Sequence, residues 1–237
     1  VTMQTGGSDQ WGNLTAGVDL IRRSDGGRVH ALATPLLTKA DGTKFGKTES
    51  GTVWLDPEMT SPYAFHQYFL NAEDEMVVAY LKVFSERPRD EIDDIAAQQA
   101  EKPFLRIAQR ALADDITDLV HGEPERRAAE AAAAALFGRS ELRDLDARTL
   151  AAVAKQLEAP RLEAGETLPA LVDVLAASGV VPSKSAGRRA IEEGGAYLNN
   201  VKVTDVDAVL TQDDLLDGRW AVVRRGKKTV GAVEVVR

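Results

Sequence analysis

The chain has 237 residues, a formal net charge of −8, 44% hydrophobic residues and 28% charged residues. This composition is typical of a globular protein with a core and one to three domains. The absence of cysteine excludes disulfides, thiolate nucleophiles and cysteine-based metal sites, and it fits a reducing compartment. The three histidines are scattered without the spacing of metal ligands, and no apolar run is long enough to span a bilayer.

The negative charge is unevenly distributed along the chain. Residues 1–164 contain 19 basic and 27 acidic residues, whereas residues 165–237 contain ten of each. An acidic protein attracts nucleic acid poorly, because the phosphate backbone is itself negative. The neutral C-terminal part is therefore the better place to look for a basic face.

The first 58 residues have an α/β pattern. The sequence predicts a strand over 1–5, a helix over 10–23 and a second strand over 29–37, followed by a loop. The chain begins inside a strand-like stretch. We therefore expect it to be the C-terminal part of a longer protein, cut within a domain. We also expect residues 1–55 to be poorly ordered when the rest of their sheet is missing.

The middle of the chain is predicted to be helical. Ser61-Pro62 is typical of a helix start, and the alanine run in 123–136 favours a helix by intrinsic propensity. Apolar residues recur at helical spacing through most of the region. The predicted helices cover 61–70, 73–84, 89–99, 103–121, 123–136, 142–145 and 149–158.

The pattern changes after a predicted linker at 157–167, which contains Pro160 and Gly165 and lacks periodicity. Two helices are predicted next, followed by short strands with turns at Asn199-Asn200 and Gly226. This order indicates a compact module in which helices precede a small sheet. The helices cover 168–178 and 183–193, and the strands lie within 196–203, 221–224 and 229–236.

A glycine-rich turn follows the first predicted strand. Gly6 and Gly7 allow a ligand to approach the backbone, and the next helix offers free N–H groups at its start. Asp9 has the chemistry to accept hydrogen bonds from ribose hydroxyls, and Gln10 can hold a carboxyl or carbonyl group. The same residues are equally typical of a simple capped helix with glycines in the preceding turn.

A second motif carries two lysines around a glycine. Lys44-Phe45-Gly46-Lys47-Thr48 suits a polyphosphate whose charge moves during a reaction, because each ammonium is a compact point charge. It is not a P-loop, since position 41 is Asp instead of Gly and the residues after Thr48 do not read as a helix. A solvated charged loop is the alternative interpretation.

The two motifs together resemble bacterial tyrosyl-tRNA synthetases. GGSDQWGNLTAG at 6–17 and PLLTKADGTKFGKTESG at 35–51 match that family, in which KFGKT is the form of the class I signature KMSKS. The resemblance covers essentially the whole chain. The family's first half, with most of the tyrosine pocket, is absent here, so the chain alone is expected to be an incomplete, inactive enzyme.

The resemblance implies a tyrosine–tRNA ligase, which activates tyrosine with ATP and transfers it to tRNA(Tyr). ATP would be a substrate accompanied by Mg²⁺, and no prosthetic group or metal site of the protein is expected. The full-length protein would be a cytoplasmic homodimer without membrane contact. The implied fold is α/β plus α plus α+β. Its three parts are the end of a Rossmann-like catalytic domain (1–58), a helical anticodon-binding domain (59–160) and a small αL-type RNA-binding domain (161–237).

The family's functional residues can be carried over to matching positions. Lys44, Lys47 and Thr48 would stabilise the pyrophosphate leaving group, and Gly7 and Asp9 would contact the ribose of tyrosyl-adenylate. The remaining implied substrate contacts are Gln4 and Gln10 near tyrosine, and the backbone of Leu36 and Leu37 near adenine.

A basic helix is the candidate RNA-binding element. Lys184 and Arg188 are four residues apart on one face of the predicted helix, and Arg189 is beside them. The resemblance adds Lys202 on the following hairpin. A solvated helix explains the same charges. Further basic residues are expected to extend the face: Arg224, Arg225, Lys227 and Lys228.

Two other functions remain open at this point. One is a standalone RNA-binding protein that retains a catalytic remnant, and the other is a nucleotide-binding module for a different adenylylation. The intact KFGKT and GGSDQWGN motifs favour a working active site in the whole protein, because a pure binding protein has no need for both lysines.

Overall fold

The computed structural model describes residues 1–43, 45–48, 51–165, 167–227 and 229–236, and for Lys47 and Thr48 it describes the backbone alone. Within those ranges no helix combines the length and the apolar character that crossing a membrane requires.

The N-terminal part is a β-α-β unit. Strands β1 (Met3–Gly7) and β2 (His30–Thr34) pair in parallel, and helix α1 (Trp11–Asp25) connects them after a 3₁₀ turn at Ser8–Gln10. Among the described residues of 1–55 only Leu14 is buried, at 1% exposure, where α1 covers one face of the pair. The poor order expected of residues 1–55 stays a prediction.

The helical region has six helices and a short strand pair before it. Its core contains Phe65, Leu81 and Leu112, each exposed by 1% or less. Helix α2 begins as predicted, because the Ser61 side chain accepts a hydrogen bond from Ala64 N and Pro62 occupies the first turn. The elements are β3 (Lys47–Thr48), β4 (Gly51–Thr52), α2 (Pro62–Leu70), α3 (Val77–Phe84), α4 (Arg89–Glu101), α5 (Ile107–His121), α6 (Glu123–Leu136) and α7 (Ala147–Gln156).

Three helix predictions in this region are wrong at one end or throughout. The segment 71–76 is a loop, so the helix predicted over 73–84 begins only at Val77. The helix predicted over 103–121 is divided, because Arg106 adopts φ +53° between a 3₁₀ turn and α5. The segment predicted over 142–145 is a single 3₁₀ turn, Leu142–Asp144.

The C-terminal part is a five-stranded sheet with two helices. The strand order is β5-β9-β8-β6-β7, and the turns at Asn199-Asn200 and Gly226 are confirmed, with φ values of +46°, +68° and +62°. The elements are β5 (Arg161–Glu163), α8 (Leu171–Ala177), α9 (Lys184–Glu192), β6 (Ala196–Leu198), β7 (Val201–Lys202), β8 (Trp220–Arg225) and β9 (Thr229–Val236).

The predicted linker is wrong in part, because it contains β5. Leu162 of β5 lies opposite Val235 of β9 in a parallel pair, so this segment forms one edge of the sheet. A three-residue strand has no periodicity to detect. It forms because its backbone groups pair with a strand about seventy residues further along the chain.

Both faces of this sheet are covered. Alternation along β8 directs Ala221 and Val223 into the cluster that includes α8 and α9. Trp220 and Val222 point the other way, into a cluster shared with α6 and α7. The helical region and the sheet therefore share a core. The expected order of α/β, α and α+β segments is confirmed, whereas the domain boundaries stay a prediction.

Candidate functional site

The candidate nucleotide site is at the carboxyl edge of the parallel pair β1–β2. Gly7 lies opposite Thr34, so the segments that follow the two strands leave the sheet side by side. A Cβ atom added to Gly7 would be 2.8 Å from Asp9 Oδ1 and 3.4 Å from Leu36 Cδ1. The structure thus places Gly7, Asp9 and Leu36 together, at the edge where open α/β sheets bind their ligands.

Gly7 matters here for space and not for backbone conformation. Its φ of −69° and ψ of 164° are extended values that any residue adopts. A side chain would nevertheless displace the Asp9 carboxylate, because real Cβ atoms do not approach an oxygen to 2.8 Å. Glycine therefore keeps the Asp9 oxygen in place and leaves the backbone accessible.

The two glutamines lie in different places. Gln10 ends the 3₁₀ turn at the edge, and its Oε1 accepts a 2.9 Å hydrogen bond from Asn13 Nδ2. Gln4 is in the middle of β1, where its Oε1 would be 2.9 Å from a Cβ atom on Gly17 of α1. Its side chain thus lies against α1, so Gln4 is not brought to the cluster of Gly7, Asp9 and Leu36.

The lysine segment, which we define as residues 37–48, follows Leu36 and ends with KFGKT. Phe45 N donates a 3.3 Å hydrogen bond to the Leu37 carbonyl, and Asp41 Oδ1 accepts from Thr43 N at 2.9 Å and from Thr43 Oγ1 at 2.6 Å. These bonds from Thr43 hold the pKa of Asp41 below its usual value. Lys44 lies outside the described residues, as do the side chains of Lys47 and Thr48.

Sequence reasoning missed the anchor of this segment, which is Phe45. Its ring packs among four aromatic residues of α2 and α3, with centroid distances of 4.5 Å to Tyr80 and 5.6 Å to both Tyr68 and Phe84. Burial, and then the charge of Glu73, raise the pKa of Tyr80 to about 12, so its hydroxyl stays protonated. The sequence signal that could have identified this anchor is an aromatic residue between two lysines.

The described residues hold no group of three or more His, Asp or Glu side chains arranged for a metal ion.

The basic residues of α9 are exposed, and two of them are paired. Lys184 Nζ is 2.7 Å from Asp173, and Arg188 is 3.3 Å from Asp207. Exposed pairs of this kind contribute little to stability and can be exchanged for phosphate contacts. Arg189 lies on the exposed side of the same helix, whose buried side faces the core.

Lys202 and Arg224 lie on opposite sides of Tyr197 in the sheet register. The Arg224 guanidinium stacks 4.3 Å above the Tyr197 ring, and one of its nitrogens would be 3.4 Å from a Cβ atom on Gly138. Arg224 is thus held between the sheet and the segment after α6, whereas Lys202 and Arg225 are exposed. Of the other two residues expected to extend the face, Lys227 is exposed and Lys228 lies outside the described residues.

Two family models match the chain. The model of "tRNA synthetases class I (W and Y)" matches residues 1–138, which is more than half of the chain. The model of "Tyrosine--tRNA ligase SYY-like C-terminal domain" matches residues 151–232.

Similar proteins are known from several bacteria. The tyrosine–tRNA ligase of Cutibacterium acnes is 63% identical over 232 residues, covering 98% of this chain and 55% of that protein. That of Thermobifida fusca is 58% identical over 239 residues, with the same two coverages of 98% and 55%. The chain therefore spans about half the length of the curated relatives it matches.

A solved C-terminally truncated mitochondrial tyrosyl-tRNA synthetase of Coccidioides posadasii is 34% identical to the chain, with a TM-score of 0.46. The superposition covers 54% of this chain and 38% of that one. The two family models and the bacterial relatives confirm the resemblance that the motifs indicated, and the chain belongs to the class I tRNA synthetases (W and Y).

Proposed function

We propose that the whole protein is a tyrosine–tRNA ligase and that this chain supplies the second half of its catalytic domain together with its tRNA-binding parts. The observation that carries the proposal is the convergence of Gly7, Asp9 and Leu36 at the carboxyl edge of β1–β2. Phe45 of the KFGKT segment is bonded to Leu37, the residue after Leu36. The relatives at 58–63% identity are tyrosine–tRNA ligases, which supports tyrosine as the amino acid.

In the proposed reaction a tyrosine carboxylate oxygen attacks the α-phosphorus of ATP, and the bond from that phosphorus to the bridging oxygen breaks to release pyrophosphate. The carboxylate is already ionised, so no side chain has to remove a proton. Asp9 holds the ribose, and Gly7 leaves room for it. Gln10 orients the amino acid, and the backbone of Leu36 and Leu37 contacts adenine. Gln4, whose side chain lies against α1, contacts the tyrosine.

Lys44, Lys47 and Thr48 act on the leaving group. Negative charge accumulates on pyrophosphate as the bond breaks, so contacts to it strengthen in the transition state and raise kcat more than substrate affinity. Mg²⁺ enters as part of the MgATP substrate. In the second step a terminal ribose hydroxyl of tRNA(Tyr) attacks the tyrosyl carbonyl, and AMP leaves.

The remaining parts of the proposal concern RNA and assembly. Residues 59–160 form the anticodon-binding domain, and residues 161–237 form a second RNA-binding domain, which contacts phosphates through Lys184, Arg188, Arg189 and Lys202. The whole protein works in the cytoplasm as a homodimer.

The test is ATP–pyrophosphate exchange by the whole protein. Exchange is expected with tyrosine and not with tryptophan. Lys47→Ala is expected to lower kcat on the order of a hundredfold to a thousandfold. Lys82→Ala, which removes an exposed lysine of α3, serves as the matched control and should change nothing. The 237-residue chain alone should be inactive. A whole protein that binds RNA but shows no exchange would instead support the RNA-binding alternative.

A further inference from the structure

The two residues between Lys44 and Lys47 are held by the helical region. Gly46 N donates a 3.0 Å hydrogen bond to the Tyr68 hydroxyl, and Phe45 occupies the aromatic cluster of α2 and α3. Gly46 has a φ of +82°, which other residues rarely adopt, so the backbone turns sharply at this contact. The middle of the lysine segment is therefore attached to the helical region.

The beginning of the segment is held by the same helices. The Tyr80 hydroxyl donates a 2.8 Å hydrogen bond to the Thr38 carbonyl, and Ala40 N donates a 2.7 Å hydrogen bond to Glu73 Oε2. Backbone groups at 38, 40 and 46 are thus fixed by three side chains from α2, α3 and the loop between them.

Glu73 is exposed and projects from a loop that two buried glutamines hold. Its neighbour Asp74 accepts hydrogen bonds from Gln109 Nε2 at 2.5 Å and from Gln99 Nε2 at 3.1 Å. Gln109 is fully buried and Gln99 is 5% exposed, and each is on a different helix, α5 or α4. Buried amides donate to the few acceptors within reach, so these two bonds fix the loop 71–76 and with it the Glu73 backbone.

We propose that Glu73 is a positioning residue for the lysine segment. It acts through its hydrogen bond to Ala40 N. The bonds from Gln99 and Gln109 to Asp74 hold the loop that carries Glu73. The inference rests on the proposed function for its catalytic consequence, although the contact itself does not. A misplacement of about 1 Å is enough to cost a large factor in rate when charges must meet a leaving group. A carboxylate bonded to Ala40 N restricts the backbone that leads to KFGKT.

The first experiment measures the segment directly in the 237-residue chain. Trypsin cuts after Lys44 and Lys47, and mass spectrometry measures the rate at each site. Glu73→Ala is expected to raise the cleavage rate at both sites at least fivefold, because Ala40 N loses its hydrogen-bond acceptor and the backbone of the segment becomes more mobile. Glu73→Gln keeps an acceptor oxygen for Ala40 N and should restore most of the protection.

The control for this measurement is Glu75→Ala, which removes an exposed carboxylate two residues away in the same loop. It should leave both cleavage rates unchanged. The urea unfolding midpoint of each variant is measured alongside, so that general destabilisation is recognised. Equal cleavage of Glu73→Ala and the unchanged chain would overturn the proposal.

The second experiment measures exchange kinetics in the whole protein. Glu73→Ala is expected to lower kcat tenfold or more while KM for tyrosine stays the same, and Glu73→Gln should recover most of the rate. Faster cleavage with an unchanged kcat would overturn the positioning role and leave a purely structural contact. If the unmodified protein shows no tyrosine-dependent exchange, the proposed function fails, whereas the cleavage result still decides whether Glu73 holds the segment.

Discussion

Asn200 Nδ2 donates a 2.6 Å hydrogen bond to the backbone carbonyl of Ala135, which joins the β6–β7 turn to the last turn of α6. The carbonyls of a last helical turn have no partner within the helix. The Ala135 carbonyl also accepts a 3.1 Å hydrogen bond from Gly138 N, so the Asn200 amide adds a further bond at the end of α6. The same junction buries Trp220 and Val222 against the helices. The C-terminal sheet is therefore docked on the helical region by both an apolar cluster and a specific polar contact.

This contact predicts that the unchanged chain is more stable than Asn200→Gly, and that Asn200→Gly is more stable than Asn200→Ala. Asn200→Gly tolerates the φ of +68° but loses the amide, and it should lower the free energy of unfolding by about 1 kcal/mol. Asn200→Ala loses the amide and also adopts a strained backbone, at a further cost of about 1 kcal/mol. Urea unfolding followed by Trp220 fluorescence, with Trp11 and Trp54 replaced by Phe, measures both.

Asn199 provides the comparison for Asn200. Its side chain bonds Asp214 O at 2.6 Å and Val222 N at 3.0 Å, both within the C-terminal part. Asn199→Gly should therefore destabilise the sheet without weakening its attachment to α6. The docking role of Asn200 is refuted if Asn200→Gly unfolds at the same urea concentration as the unchanged chain.

Gly7→Ala tests the nucleotide edge. The new Cβ would lie 2.8 Å from Asp9 Oδ1 and would force that oxygen to move. We expect tyrosine-dependent exchange by the whole protein to fall on the order of tenfold to a hundredfold, as expected for a displaced substrate contact. Gly12→Ala is the matched control, because a Cβ there meets nothing within 4 Å and alanine favours the helix. Equal activity of the two variants would argue against a ligand contact at Gly7.

Arg189→Ala tests the RNA face in the 237-residue chain. If Arg189 contacts a phosphate, its loss should weaken tRNA binding and reduce the slope of log affinity against log salt by about 1. Arg161→Ala is the control, since it removes an exposed arginine from β5, at the opposite edge of the sheet from β7. A similar change in slope for both variants would indicate general charge attraction instead of a defined face.

Asp146 predicts an acid-dependent loss of stability. Its carboxylate caps α7 by accepting from Thr149 N at 2.9 Å and Thr149 Oγ1 at 2.8 Å, and the backbone bond first of all lowers its pKa below 3.8. A lowered pKa in the folded state adds stability above pH 3.8. That stability is lost as the pH falls through the folded-state pKa.

The variants at position 146 separate the cap from its charge. Asp146→Ala should cost about 1 kcal/mol at pH 7, as expected for a lost N-cap. Asp146→Asn keeps an acceptor but cannot titrate, so its difference from the unchanged chain should diminish between pH 5 and pH 2. Urea unfolding across that range measures the difference, and a constant difference would contradict the linkage.

The elements predicted well are those with a local cause. The alanine-rich α6 occupies 123–136 as predicted, and β9 occupies 229–236, because intrinsic propensity and alternation operate over neighbouring residues. The loop 71–76 and strand β5 were predicted wrongly for the opposite reason. Each depends on partners distant in sequence, namely Gln99 and Gln109 for the loop and β9 for the strand.

The sequence by itself determined the motifs, the order of α/β, α and α+β segments and the family, because residue identity and short spacing carry that information. The tertiary structure decided which residues meet. It brought Leu36 to Gly7 and Asp9, placed Gln4 against α1 and attached Phe45 and Ala40 to α2, α3 and Glu73. Apart from that of Gln4, these contacts join residues about 30 apart in the chain. Only the packing of the helices and the pairing of β1 with β2 bring such residues together.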